Sequence, residues 1–252
     1  MKRLIPISVL ILMFAAEGGG ATLREVYAAG ETLDYELSWS SVSGGAARMT
    51  IAAIDANRLR ITSVAKSGSF FSRFFKVRDE IESIVGSDDF STLQYHKMLQ
   101  EGSKRKDELT VVDERHHVAI RKGKSVAVPD PVFDPISLMY YVRTLELTPG
   151  KTHEFTIVAD GKVYKVSAVV GDRETIGTPA GTFKTIVVEP KMESSAGVFK
   201  DEQKRLLIWY TDDARHVPVR IRSDVKIGSI TVSLRGLKAG GGEIEPTTRI
   251  GQ

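Results

Sequence analysis

Apolar and polar residues alternate along short stretches of this chain, and turn-forming residues separate the stretches. Leu33, Tyr35, Leu37 and Trp39 share one face of segment 33–39, with Asp34, Glu36 and Ser38 on the other. A period of two marks a half-buried strand. Ser43-Gly44-Gly45 turns the chain into a second run, 47–54, and Asp55-Ala56-Asn57 turns it into a third, 59–64. The chain thus opens as a meander. Segments 109–112 and 117–120 flank Asp113-Glu114-Arg115. Segments 155–158 and 163–166 flank Asp160-Gly161, a pair suited to the two positive-φ positions of a type I′ hairpin turn. Further strands are predicted over 165–176 and 183–188, on either side of Gly177-Thr178-Pro179-Ala180-Gly181, and over 206–210, 217–222 and 230–234.

Two stretches depart from this pattern. Phe70, Phe71, Phe74 and Phe75 fall at helical spacing. Segment 134–143 reads as a helix, with Asp134 capping the free N–H groups and Pro135 at the first helical position. Ile136, Met139, Tyr140 and Arg143 form one stripe, widened by Leu138, Tyr141 and Val142, so much of the helix surface is predicted to be buried. The fold class expected is mainly β. It is a large curved antiparallel sheet, or incomplete β-barrel, of about twelve strands, with a central helix filling its concave face and a short aromatic helix beside it.

The first residues change the picture of where this sheet works. Met1-Lys2-Arg3 is a positive head, 4–16 an apolar run, and Gly18-Gly19-Gly20-Ala21 a small-residue exit. That is the layout of a secretory signal peptide cut after Ala21; the run is shorter than the roughly 20 residues that span a bilayer. The expected organisation is a signal peptide at 1–21, one β-rich domain at 22–237 and a disordered tail at 238–252, where Gly240-Gly241-Gly242 and Pro246 lie. The chain has no cysteine, which removes disulfides, thiolate chemistry and the lipidated N-terminal Cys of a lipoprotein. The expected location is the periplasm, with no transmembrane segment after signal cleavage. Basic and acidic residues number 35 and 32, a formal charge of +3, and give no case for a nucleic-acid partner.

Candidate chemistry is sparse. His116 and His117 are adjacent and on a strand point to opposite faces. No Gly-x-Ser-x-Gly elbow is present. Asp212-Asp213 reads as a hairpin turn, where Asp bonds nearby backbone N–H groups. Gly177 to Gly181 lacks the Lys-Ser/Thr ending of a phosphate loop. No catalytic residue, metal ligand or cofactor is assigned.

The aromatic cluster reads either as a plug at one end of the sheet or as a lid over an apolar cavity. Arg73, Lys76 and Arg78 flank it, an arrangement suited to an amphiphile with an anionic head. The ligand-binding residues expected on this reading are Phe70, Phe71, Phe74, Phe75, Arg73, Arg78, Ile136, Met139 and Tyr140. The expectation is a non-enzymatic envelope protein that binds a lipidic ligand. The alternative is a scaffold whose sheet edges pair with another envelope protein, and a hydrolase ranks below both.

Several local patterns, taken in order, carry a resemblance. They are Gly30-Glu31-Thr32-Leu33-Asp34-Tyr35, Phe75-Lys76-Val77-Arg78-Asp79, Asp134-Pro135-Ile136-Ser137-Leu138, Thr178-Pro179-Ala180-Gly181-Thr182-Phe183, Ile208-Trp209-Tyr210-Thr211-Asp212-Asp213 and His216-Val217-Pro218-Val219. The chain resembles the domain-of-unknown-function family three-one-zero-eight, exported proteins of Gram-negative bacteria, from about Gly30 to Leu237. The resemblance implies an exported β-rich domain and brings no catalytic residues. A looser likeness in architecture is to periplasmic lipoprotein carriers, whose half-open barrels hold acyl chains against inner helices; fold alone does not fix function.

Overall fold

Period-two segments become strands wherever turn chemistry lets the chain reverse. In the computed structural model, which describes residues 27, 29–40, 42–68, 77–192, 205–225 and 228–239, they build one antiparallel sheet. Its strands are β1 (Glu31–Trp39), β2 (Val42–Ala53), β3 (Arg58–Ser67), β4 (Val77–Gly86), β5 (Thr92–Glu101), β6 (Lys104–Asp113), β7 (Val118–Arg121) and β8 (Lys124–Ala127). Helix α1 (Pro135–Val142) follows, then β9 (Thr152–Ala159), β10 (Lys162–Thr178), β11 (Gly181–Met192), β12 (Leu206–Thr211), β13 (Pro218–Asp224) and β14 (Ser229–Ala239). The 14 strands run β8-β7-β6-β5-β4-β3-β2-β1-β14-β13-β12-β11-β10-β9. Two meanders therefore meet where the first strand pairs with the last, Glu31 opposite Ala239 and Trp39 opposite Ile230. β14 runs through Lys238 and Ala239, two residues past the expected end of the domain.

Local chemistry explains the turns. Asp160 and Gly161 both take positive φ, 53° and 74°, as the β9–β10 hairpin requires. Gly45 has no room for a side chain: a Cβ there would meet the Lys66 carbonyl of β3 at 2.3 Å. His116 and His117 lie in the β6–β7 turn, with His117 at φ 50°, rather than on a strand. The strand pattern predicted for them fails because Asp113 accepts from the Arg115 and His116 N–H groups and starts the turn early.

The sheet is rolled. α1 touches both β4 and β9, which stand nine strands apart in the order. Flat, that is about 43 Å at ~4.8 Å per strand, far beyond the reach of one helix, so the sheet curls round it. The roll also overshoots closure. Directly opposed residues of antiparallel strands share a face, so Val112, Ala119 and Val126 lie on the inner face of β6–β8. They form a small apolar cluster with Val158 and Val163, a cross-strand pair on the face of β9–β10 turned away from Ile157 and Tyr164. β6–β8 thus lap over the outside of β9–β10.

Polar contacts hold the lap. Lys97 of β5 pairs with Asp160 in the β9–β10 turn. Arg121 of β7 pairs with Glu108 at 2.5 Å and donates to the Asp160 carbonyl at 3.2 Å. The segment before α1 fills the remaining seam: Phe133 exchanges backbone hydrogen bonds with Thr156 and Val158 of β9, at 3.0 and 2.7 Å. The main core lies inside the roll and includes Tyr27, Leu33, Tyr35, Ile51, Ile61, Tyr140, Ile186, Tyr210 and Leu234.

Candidate functional site

α1 closes one pole of the roll, and its two ends sit in two buried polar centres. At its start Asp134 is fully buried and accepts four hydrogen bonds. Oδ1 receives the Ile136 and Ser137 N–H groups at 2.9 and 3.0 Å, and Oδ2 the Ser83 and Thr92 hydroxyls at 2.5 and 2.8 Å. Ser137 returns the favour by accepting from the Asp134 N–H at 2.9 Å, closing a capping box. Burial pushes the Asp134 carboxyl above its ordinary value, against the opposing pull of Ser83, Ser137, Thr92 and Ile136. Every lone pair is used, and the group serves to fix where the helix begins.

At the other end of α1, Arg143 and Glu31 form a fully buried bidentate pair, Nη1–Oε1 at 2.7 Å and Nη2–Oε2 at 2.9 Å. The guanidinium also donates from Nε to the Arg215 carbonyl at 3.1 Å and lies 5.0 and 5.2 Å from the rings of Tyr27 and Tyr140. Tyr35 donates to the Pro218 carbonyl at 2.8 Å and Tyr210 to that of Met139 at 3.2 Å. The Tyr27 and Tyr140 hydroxyls are buried with no hydrogen-bond partner among the described residues. Burial raises the pKa of all four tyrosines, so they are neutral dipoles around one ion pair. Period two puts Glu31 in phase with Leu33 and Tyr35, and helical period puts Arg143 in phase with Met139 and Tyr140. Two charges on two apolar faces are a legible signal that each is the other's partner; Tyr27 had no such signal.

The opposite pole is unlike this one. Along β1 the inner face passes from buried Leu33 and Tyr35 through half-buried Leu37 to Trp39, 46% exposed. β2 passes from buried Ile51 and Met49 through half-buried Ala47 to Val42, 55% exposed, and β14 from Leu234 through Val232 to Ile230, 42% exposed. Val42, Trp39 and Ile230 are direct cross-strand partners, so they form one apolar lip across β2–β1–β14. Below the lip the inner wall stays apolar, with Leu37, Val232 and Ile221 in register. The candidate site is this inner face at the rim away from α1.

The sequence-predicted site residues divide. Met139 and Tyr140 are buried at the helix pole and Ile136 is half-buried there. Arg78 is exposed, in register with Lys66 and Gln100 on the outer face of β4, so it does not reach the inner wall. Phe70, Phe71, Arg73, Phe74 and Phe75 lie outside the described residues. The structure does not bring the helix residues and Arg78 together. The exposed lip was missed because Trp39 and Ile230 continue the same alternation as buried neighbours, and a period says which face a residue takes, not whether anything covers it.

A separate cleft of about 10 Å³ opens near the β6–β7 turn beside Thr92, Glu114, His117, Pro129 and Asp130. That is about room for one water molecule, far below the ~300–1,000 Å³ of ordinary small-molecule sites. Among the described residues no group of three or more His, Cys, Asp or Glu side chains is placed to hold a metal ion, and no helix is long and apolar enough to cross a membrane. His96 and His116 each bond a neighbouring Asp, Asp107 and Asp113, at 2.7 Å. Asp213 accepts from the Thr211 hydroxyl and the Arg215 N–H at 2.8 and 3.0 Å, which is turn chemistry.

Family comparison agrees with the motif order. The model of a protein family of unknown function, DUF3108, matches residues 34–235. The chain belongs to this family. No curated protein matches it. Among solved structures, this DUF3108 chain is similar to a β-barrel-like protein of the domain of unknown function DUF1849 from Brucella abortus. The identity is 9%, the TM-score 0.57, and the match covers 83% of this chain and 97% of that one. At that identity the likeness is one of fold. A weaker match is the hypothetical protein CT021 of Chlamydia trachomatis, with 8% identity, TM-score 0.38, and 91% and 98% of the two chains covered.

Proposed function

We propose that this DUF3108 protein is a non-catalytic, exported protein of the cell envelope that holds a lipidic or amphiphilic ligand against the inner face of its rolled sheet. Export rests on the Met1-to-Ala21 signal pattern. Ligand binding rests on one observation: the inner wall stays apolar as burial falls away along β1, β2 and β14 toward the rim. Burying a large apolar side chain contributes about 1.5–3 kcal/mol, so an acyl chain that covers Trp39, Val42 and Ile230 gains what the folded chain leaves unused. α1 and the Glu31–Arg143 centre close the far pole.

Protein recovered from the periplasm of an expressing bacterium is expected to carry lipid, visible by native mass spectrometry and by extraction. A clean apo mass, together with failure to take up an added acyl-chain probe, overturns the reading.

A second reading, a protein-interaction scaffold, is favoured by Leu109, Val111 and Ile120. These are 42, 40 and 40% exposed on the outer face, with Val111 directly opposite Ile120. Strand addition has less room: β8 is four residues long with Lys124 and Ser125 exposed, and Phe133 occupies part of the β9 edge. A single dominant crosslinked protein in the native envelope that is lost on Val111→Ser supports the scaffold over the carrier.

A further inference from the structure

We propose that the rim away from α1 is a docking surface for an anionic lipid bilayer, with Trp39, Val42 and Ile230 entering the interface and basic turns facing the headgroups. The proposal needs only the rim, and holds whether or not the interior carries a ligand.

Two independent features point the same way. The first is the lip itself. Three large apolar residues in adjacent strands are 46, 55 and 42% exposed at one end of the molecule. One is Trp39, the residue type that settles at a membrane–water interface. The second is the distribution of charge between the poles. Hairpin connections alternate between the ends of an antiparallel sheet, so the β5–β6 and β7–β8 turns lie at the same end as the β1–β2 turn. They carry exposed Lys104, Arg105, Lys106, Lys122 and Lys124. The turns at the helix pole carry Asp55, Asp88, Asp89, Asp113, Glu114, Asp212 and Asp213 against Arg115 and Arg215, and even with Asp212 and Asp213 paired to Arg173 and Arg215 the balance there is acidic. Of the acids near the rim, Asp160 is paired with Lys97, Glu189 with Arg205, Asp224 with Arg222 and Asp107 with His96. A chain of formal charge +3 therefore has a basic, apolar-lipped end and an acidic end. That combination suits an anionic membrane, where each Lys or Arg near the surface adds electrostatic attraction within a Debye length and the apolar tip adds burial.

The chain supplies its own reporter. It has two tryptophans. Trp209 is buried and donates to Glu174 at 2.7 Å, so Trp209→Phe leaves Trp39 as the single emitter. The experiment mixes the full exported chain with vesicles of phosphatidylglycerol and phosphatidylethanolamine, and separately with phosphatidylcholine vesicles. It reads co-sedimentation, the Trp39 emission wavelength and quenching by brominated acyl chains. Binding, a blue shift and quenching are expected on the anionic vesicles only, weakening as salt is raised. Trp39→Ser and the triple variant Lys104→Gln/Arg105→Gln/Lys106→Gln are each expected to bind about tenfold more weakly, with unchanged far-ultraviolet circular dichroism. Ile54→Ser, at the helix pole, keeps wild-type binding. Absence of binding, equal binding to neutral vesicles, or retention of binding by either folded variant overturns the proposal. Uptake of a monomeric acyl-chain probe in free solution by the Lys104→Gln/Arg105→Gln/Lys106→Gln variant, whose substitutions lie outside the inner wall, separates failure of docking from failure of ligand binding.

Discussion

Arg143→Met leaves Glu31 as an uncompensated carboxylate inside the roll and is expected to cost about 3–5 kcal/mol. The cost comes from stranding the partner, because a buried pair surrenders in desolvation much of what it gains in attraction. Glu31→Met/Arg143→Met is therefore expected to recover a large part of the loss, and urea unfolding of the four members of the cycle measures the coupling. Asp134 behaves differently, since its partners are hydroxyls and N–H groups. Asp134→Asn keeps the cap through its carbonyl and donates to Ser83 and Thr92 from its amide, whereas Asp134→Ala loses the cap outright, about 1–2 kcal/mol, plus the stranded hydroxyls. The pH dependence has a definite sign. The folded pKa of Asp134 lies above its ordinary 3.8, so the folded state binds the extra proton. Its contribution is fully present below that ordinary value and is lost as pH rises through the raised one. Thermal melts of wild type and Asp134→Asn should diverge in the variant's favour across that window and run parallel above it. The sequence showed Asp134 as a helix cap but not its burial, because burial depends on Ser83 and Thr92, which no local pattern links to it.

β1 and β3 were legible from sequence because Leu33, Tyr35 and Leu37, and Leu59 and Ile61, alternate with polar residues, and β9 and β12 because turn residues bound short apolar runs. β4, β5 and β8 were not. β4 turns Ser83 inward along with Val85 and Ile81, and β5 turns Thr92 and Lys97 inward along with Tyr95. Those polar residues are what the buried Asp134 and the Lys97–Asp160 seam require, so the strands most concerned with closing the roll carry the least strand-like pattern. β8 is four residues long and mostly exposed, too short for a period to register. The lap that these strands make can be tested by itself. Val158 is fully buried in the small cluster with Ala119, Val128 and Val132, apart from the main core. Val158→Ala is expected to cost about 1–2 kcal/mol and to raise amide hydrogen exchange in β7 and β8 while leaving β12–β14 protected. Asp160→Asn removes a half-exposed partner of Lys97 and is expected to change stability by less than about 1 kcal/mol. If exchange rises equally in all strands of Val158→Ala, the lap is not a separable unit.

At the scale of the whole molecule, the pairing that decides the fold is the one most distant in sequence. β1 and β14 meet at the centre of the strand order, and the core under them draws on both meanders: Leu33 and Ile51 from the first, Ile186, Tyr210 and Leu234 from the second. Neither half can bury its inner face alone, which is why a chain of this length forms one roll rather than two domains. Position in the order, not strand length, should therefore set the effect of losing a strand. Ending the chain after Asp224 removes β14 and strips a partner from both β1 and β13. It also exposes Leu33, Tyr35 and Val219, each 1% exposed or less in the intact roll. Replacing Lys124–Ala127 by a short Gly-Ser segment removes β8, which pairs with β7 alone. The first change is expected to abolish the cooperative urea transition, with dye-binding apolar surface and loss of Trp209 burial. The second is expected to keep it, shifted by about 1–2 kcal/mol and still coincident by circular dichroism and Trp209 fluorescence. Slow refolding belongs to the same topology, because the β1–β14 contact closes nearly the whole chain before any gain is realised. A cooperative transition that survives loss of β14 shows instead that the two meanders stand independently, and the shared interior on which both the ligand and the rim are built does not exist.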